Sequence, residues 1–238
     1  MKRLWNILIS LDFGLWLLAL VCGALAIGSF LLKGDYAAAI NFMPLFAWLM
    51  EVPVVTSWWL WLAIALLALL VINTLLCSGE TLRQRYGRTG LVSLCAPQLI
   101  HVGFLLFVAA HLISAFGASV QQIEVYEGAQ ARLPDGAPFA VAAITVDISP
   151  KGMPRGFSCQ LATDPRNPAE RTVISPNHPW FCGDYGVYIK QAERYPYPRA
   201  LLEIHREPGG SMALAGAIFF MIGNVMVLWL RSKNDPNQ

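Results

Sequence analysis

Charge is what this sequence has least of. Only 13% of its 238 residues are Asp, Glu, Lys or Arg, against about a quarter in soluble domains, so an ordinary water-soluble globule is excluded. The net charge of +2 makes no case for nucleic acid as a partner. No CxxC or CxxCH motif occurs among the five cysteines, which excludes a thioredoxin-like dithiol and a covalently attached c-type haem. Histidine is scarce too, at four residues, and no Ser-His-Asp or paired-carboxylate constellation can be placed.

What the chain has instead is long apolar stretches. Residues 13–32, 57–77, 97–117 and 212–230 are each about the length needed to cross a hydrocarbon core of about 30 Å. A polar, proline-bearing segment separates the third from the fourth. The expected fold is an integral membrane α-helical protein with four transmembrane helices and a small β-rich extracytoplasmic domain inserted between helices three and four. Its divisions are 1–117, a three-helix transmembrane region; 118–210, the β-rich domain; and 211–238, the last helix with a short tail.

Basic residues orient the spans. Lys2 and Arg3 precede the first, Arg83, Arg85 and Arg88 lie between the second and third, and Arg231 and Lys233 follow the fourth. The loop 33–56 carries Lys33 balanced by Asp35 and Glu51. Both termini and the 78–96 loop are therefore expected in the cytoplasm of an inner-membrane, multi-pass protein, with 118–210 on the periplasmic or extracellular side. The first run exceeds the 7–15 residues of a signal-peptide core and is read as a retained helix.

Within the first helix Gly23 and Gly28 suit close helix packing. The loop 33–56, with NFMPLFAWLMEVP, reads as a segment lying in the outer interface, and Trp58, Trp59 and Trp61 as an aromatic belt. Asn73 is expected to hydrogen-bond to a neighbouring helix. SGETLRQRYGRTG, from position 78, reads as a solvated connection.

The third span is the unusual one, because it holds two ionisable side chains, His101 and His111. Such residues in a span are functional suspects. Ten residues apart, they lie about 15 Å apart along a helix and cannot ligate one iron. No other span contains a histidine, so a bis-histidine haem within the membrane would need a partner subunit or a second copy, and a mixed site a methionine. The alternative for each is a hydrogen bond to a neighbouring helix.

In the outer segment, 140–148, 186–192 and 199–205 read as strands of a small sandwich or open sheet. Cys159 and Cys182, the only cysteines there, are expected to form a structural disulfide closing a loop of about 22 residues; the alternative is a thiol pair that handles redox equivalents or reduces an apocytochrome. His178 and His205 have no ligand partner at metal-site spacing.

Several stretches together resemble the ResB (CcsB) family of system II cytochrome c biogenesis. They are SWWLWLAIALLALLVINTLLC, IHVGFLLFVAAHL, VISPNHPWFCGDYGVYIKQ and EPGGSMALAGAIFFMIGNVMVL, in an order of three helices, outer domain, then one helix. The resemblance implies a membrane subunit that works with a CcsA/ResC-like partner to carry haem outward for attachment to apocytochrome c. It implies haem b with His101 as an axial ligand and the other ligand on the partner; His111 is the weaker candidate, and Asn73 would support the site. The outer domain is shorter than is typical of the family, and the partner's WxWD motif is absent. At most the chain would be one subunit of a holocytochrome c synthase. Two rivals are a haem b-bearing anchor of a quinone-linked respiratory complex and an assembly factor without cofactor.

Overall fold

The computed structural model describes residues 2–150, 154–163 and 171–233. The chain divides into two compact units. One comprises Met1–Ile40, Pro44–Phe116 and Gly209–Gln238, the other Asn41–Met43 and Gly117–Pro208.

The first unit is helical: α1 (Lys2–Leu8), α2 (Leu11–Leu31), α3 (Asp35–Ala39), α4 (Leu45–Glu51), α5 (Val54–Arg85), α6 (Leu91–Gly117) and α7 (Gly210–Lys233). Four of these, α2, α5, α6 and α7, are long and apolar enough to cross a membrane. Leu15, Phe30, Leu112, Leu214 and Val225 stand exposed on them. Apolar side chains uncovered on this scale are at home against lipid tails rather than water.

Small residues decide how the helices meet. Gly28 of α2 leaves the space filled by the Trp59 ring of α5. On α6, Ala96, Gly103 and Ala110 are buried at seven-residue spacing. A Cβ at Gly103 would sit 2.6 Å from the backbone nitrogen of Phe220 in α7, and one at Gly223 would sit 2.8 Å from that of Ile100. The two backbones are therefore in near contact, and any side chain at Gly103 would force them apart.

The first expected span is one continuous helix, α2, and the short α1, ending at Leu8, precedes it. Three other sequence expectations change here. The third helix begins at Leu91, six residues before Pro97, because a proline near the first turns sacrifices only one backbone bond. The 78–96 connection is mostly helix, since Ser78 to Arg85 extend α5 and only 86–90 remain outside. Trp59 is buried against Gly28 with its Nε1 donating to Thr56 O at 3.0 Å, so it is a packing residue, while Trp58 and Trp61 remain exposed. The interfacial loop is ordered by α4, whose fully buried Trp48 donates Nε1 to Tyr36 O at 3.0 Å.

The second unit is a sandwich of β1 (Ser119–Tyr126), β2 (Gln130–Arg132), β3 (Pro138–Ile148), β4 (Pro154–Ala162), β5 (Arg171–Ile174), β6 (Trp180–Cys182), β7 (Tyr185–Glu193) and β8 (Arg199–Arg206). The strands form two antiparallel sheets, in the orders β1-β8-β7-β6 and β2-β3-β4-β5. Val141, Cys159, Leu161, Ile174, Val187, Leu202 and Ile204 fill the space between them. β8 shows the logic: Ala200, Leu202 and Ile204 point into this core, and Leu201, Glu203 and His205 alternate onto the other face.

Candidate functional site

His101 lies on α6 beyond Pro97, and the chain places a hydroxyl against it. Nδ1 of His101 is 2.6 Å from Oγ of Ser78 on α5. Ser78 is the residue immediately after the apolar run, at the start of what reads as a solvated loop. It reaches the imidazole because α5 does not stop at Cys77. Nothing in the sequence pairs these two positions, 23 residues apart.

The bond fixes the ring and sorts its nitrogens. In the tautomer whose Nδ1–H donates to Ser78 Oγ, Nε2 keeps its lone pair and is the atom available to a metal. Metal-bound histidines commonly spend their second nitrogen in this way, which holds the tautomer and the ring plane.

A second feature was not legible either. Gln98 Nε2 is buried and has no acceptor. Gln98 precedes His101 by three residues, so both lie on neighbouring positions of one helix face. A buried donor without an acceptor costs about 1–3 kcal/mol. The pair thus offers a free imidazole nitrogen and an unspent amide donor, a set that suits a metal-bearing group with its own acceptor oxygens. Haem, with one axial position for Nε2 and carboxylates at its rim, fits this donor set. Among the described residues no group of three His, Cys, Asp or Glu gathers for a metal ion, so a bare multi-ligand ion site is not the alternative.

The remaining candidates separate. His111 is exposed on α6, and no side-chain hydrogen bond engages it. Asn73 is 4% exposed and spends its amide elsewhere, donating Nδ2 to Leu8 O at 2.7 Å and to Ser10 O at 3.1 Å. It therefore satisfies carbonyls at the α1–α2 break and not His101. A Cβ at Gly14 would lie 2.5 Å from Asn73 Oδ1, so the glycine keeps that amide in place.

In the sandwich, His178 is exposed in the Ser175–His178 turn. His205 is better held. Its Nε2 is 2.7 Å from Glu203 Oε2, which also takes Lys190 Nζ at 2.8 Å, while Gln122 Nε2 donates to Oε1 at 2.9 Å. Glu203 is only 7% exposed. Its burial opposes ionisation, but the bonds from Lys190, Gln122 and His205 outweigh it and hold the carboxyl at about 2. With the His205 Nε2 committed to Glu203, this cluster reads as a polar network of the sheet face.

The expected bond between Cys159 and Cys182 is not formed in the structure, where both thiols are free. The two lie on strands of different sheets. Cys159 is fully buried, with Sγ toward Gln160 O at 3.9 Å, and burial beside Glu127 pushes its thiol up to about 12. A thiol so placed is inert as a nucleophile.

No protein-family model and no curated protein matches the sequence. Among solved structures, a cytochrome c heme lyase, CcmF, is similar to this chain with a TM-score of 0.45 and 16% identity. The likeness covers 92% of this chain and 35% of that one. The chain thus spans about a third of the length of that protein.

Proposed function

We propose that this chain is a ResB-like membrane subunit of system II cytochrome c maturation that holds haem b through His101. The observation that carries the reading is the His101 imidazole. Its Nδ1 is engaged by Ser78, its Nε2 is free, and no second histidine lies on another spanning helix. One ligand is supplied and one is missing, which is what a site shared with a CcsA/ResC-like partner requires.

In this reading Ser78 fixes the imidazole plane, His101 Nε2 ligates the iron, and Gln98 donates to an acceptor of the bound group. Bound haem would be the cargo carried outward for attachment to apocytochrome c, with both termini cytoplasmic and the sandwich periplasmic. In this reading the attachment chemistry falls to the assembled complex.

The test is an optical spectrum of the purified protein, alone and co-expressed with a CcsA-like subunit. A b-type haem is expected in the co-expressed sample and is lost with His101→Ala. Haem content unchanged by His101→Ala would overturn the assignment. His111→Ala is expected to leave the spectrum intact.

A further inference from the structure

The basic residues that orient the helices do more than orient them. Arg85 closes α5 and Arg231 lies in the last turn of α7, while Ser93 and Pro97 sit in the first two turns of α6. All four line one cleft of about 360 Å³, together with Val227 and Leu230 of α7. That volume falls within the range of small-molecule sites.

Its two ends differ in chemistry. Val227, Leu230 and the proline ring make an apolar wall. Arg85 and Arg231 carry two guanidinium groups, and among the described residues neither forms an ion pair. Their neighbour Arg83 does find a carboxylate, with NH2 at 3.0 Å from Glu80 Oε1, which leaves the two cleft arginines without that partner. Pro97 adds a third element, because it has no N–H to offer the Ser93 carbonyl one turn earlier. That carbonyl is left as an acceptor for a hydroxyl.

Two unpaired cations, a backbone acceptor and an apolar wall converge at the ends of three spanning helices. We infer that this cleft binds one anionic phospholipid, its phosphate between Arg85 and Arg231, its headgroup hydroxyl toward Ser93 and an acyl chain along Val227 and Leu230. Basic pockets between helices recognise headgroups in this way, and arginine suits the phosphate because its planar fork can donate twice. The occupant is a lipid rather than a free anion, because an isolated phosphate has no use for the apolar wall. The inference is independent of haem and of His101.

Native mass spectrometry of the full chain in detergent tests it, with dioleoyl phosphatidylglycerol and dioleoyl phosphatidylcholine as competing probes. The wild type is expected to retain phosphatidylglycerol in preference. Each basic residue near an anionic headgroup is worth about fivefold, so Arg85→Gln with Arg231→Gln together should cost about 25-fold. Arg85→Lys with Arg231→Lys should keep most of the preference. Val227→Phe, which fills the wall and leaves both charges, should expel the lipid.

Equal retention of the two lipids by the wild type overturns the inference, as does an unchanged preference in the double glutamine variant. Displacement of phosphatidylglycerol by millimolar inorganic phosphate alone would assign the arginines to a free anion and overturn it too. Each variant's helical content by circular dichroism separates loss of the site from loss of the fold.

Discussion

His101 and His205 are both held by hydrogen bonds, one in each unit, and the partners differ in a way that follows their surroundings. His101 meets a serine hydroxyl at 2.6 Å, whereas His205 meets a carboxylate at 2.7 Å that also binds a lysine and a glutamine. A hydroxyl orients an imidazole without adding charge. Ser78 stands at the polar end of its apolar run, where a hydroxyl meets the half-buried imidazole without bringing a charge to be desolvated. On the sandwich face the charge is affordable, because Lys190 is half exposed and water reaches the cluster. The same side chain thus has one ring nitrogen engaged by a neutral hydroxyl in one unit and is a member of a charged network in the other.

The largest effect that could break this comparison lies in the sandwich. Glu203 ionises at about 2 in the folded chain against an ordinary 4.5, so the unfolded chain takes up the proton first as pH falls. Its stabilisation is fully present above pH 4.5 and is lost as pH falls toward 2, an amount of about 3 kcal/mol. Denaturation curves followed by tryptophan emission should show that slope in the wild type and lose most of it in Glu203→Gln. An identical acid slope in the two proteins would show that the network does not rest on the carboxylate's charge.

Next comes the hydroxyl at His101. Ser78→Ala is expected to weaken haem binding by about 10- to 100-fold, as removal of a ligand's orienting partner usually does. Ser78→Thr, which keeps the hydroxyl, should retain most of the affinity. Haem titration of the co-expressed complex measures this. Affinity unchanged in Ser78→Ala would mean that the ring is positioned by packing alone.

The smallest effect tests whether the helical unit also uses polar groups purely for structure. Asn73→Ala should cost about 1 kcal/mol of stability in detergent, in line with single interhelical hydrogen bonds, and leave haem content unchanged. A loss of haem in that variant would return Asn73 to the ligand site, from which its bonds to Leu8 and Ser10 separate it.

Much of the helical architecture was legible because lipid imposes a length and a composition that no local detail overrides. Runs such as 57–77 and 212–230 announce themselves, and their helices only extend those limits, to Val54–Arg85 and Gly210–Lys233. The sandwich was read less well. β3, β7 and β8 were found from partial alternation, but β1 was missed because Gln121 and Gln122 interrupt its pattern, and β4 because Pro154 and Gly156 open it like a turn. The cysteines were paired by counting, and the fold places Cys159 in the core with Cys182 packed against that core.

For the site, counting histidines was enough to show that no other span supplies a second histidine. Composition likewise determined four membrane-length helices and one polar insertion, since both depend only on the free energy of moving residues between water and hydrocarbon. The partners were decided by the tertiary structure alone. Ser78 at His101, Asn73 at the α1–α2 break, the unspent Gln98 amide and the cleft between Arg85 and Arg231 each depend on how helices distant in sequence are rotated and how closely their glycines let them approach. That rotation is set by packing over many residues at once, and no single stretch of the chain encodes it.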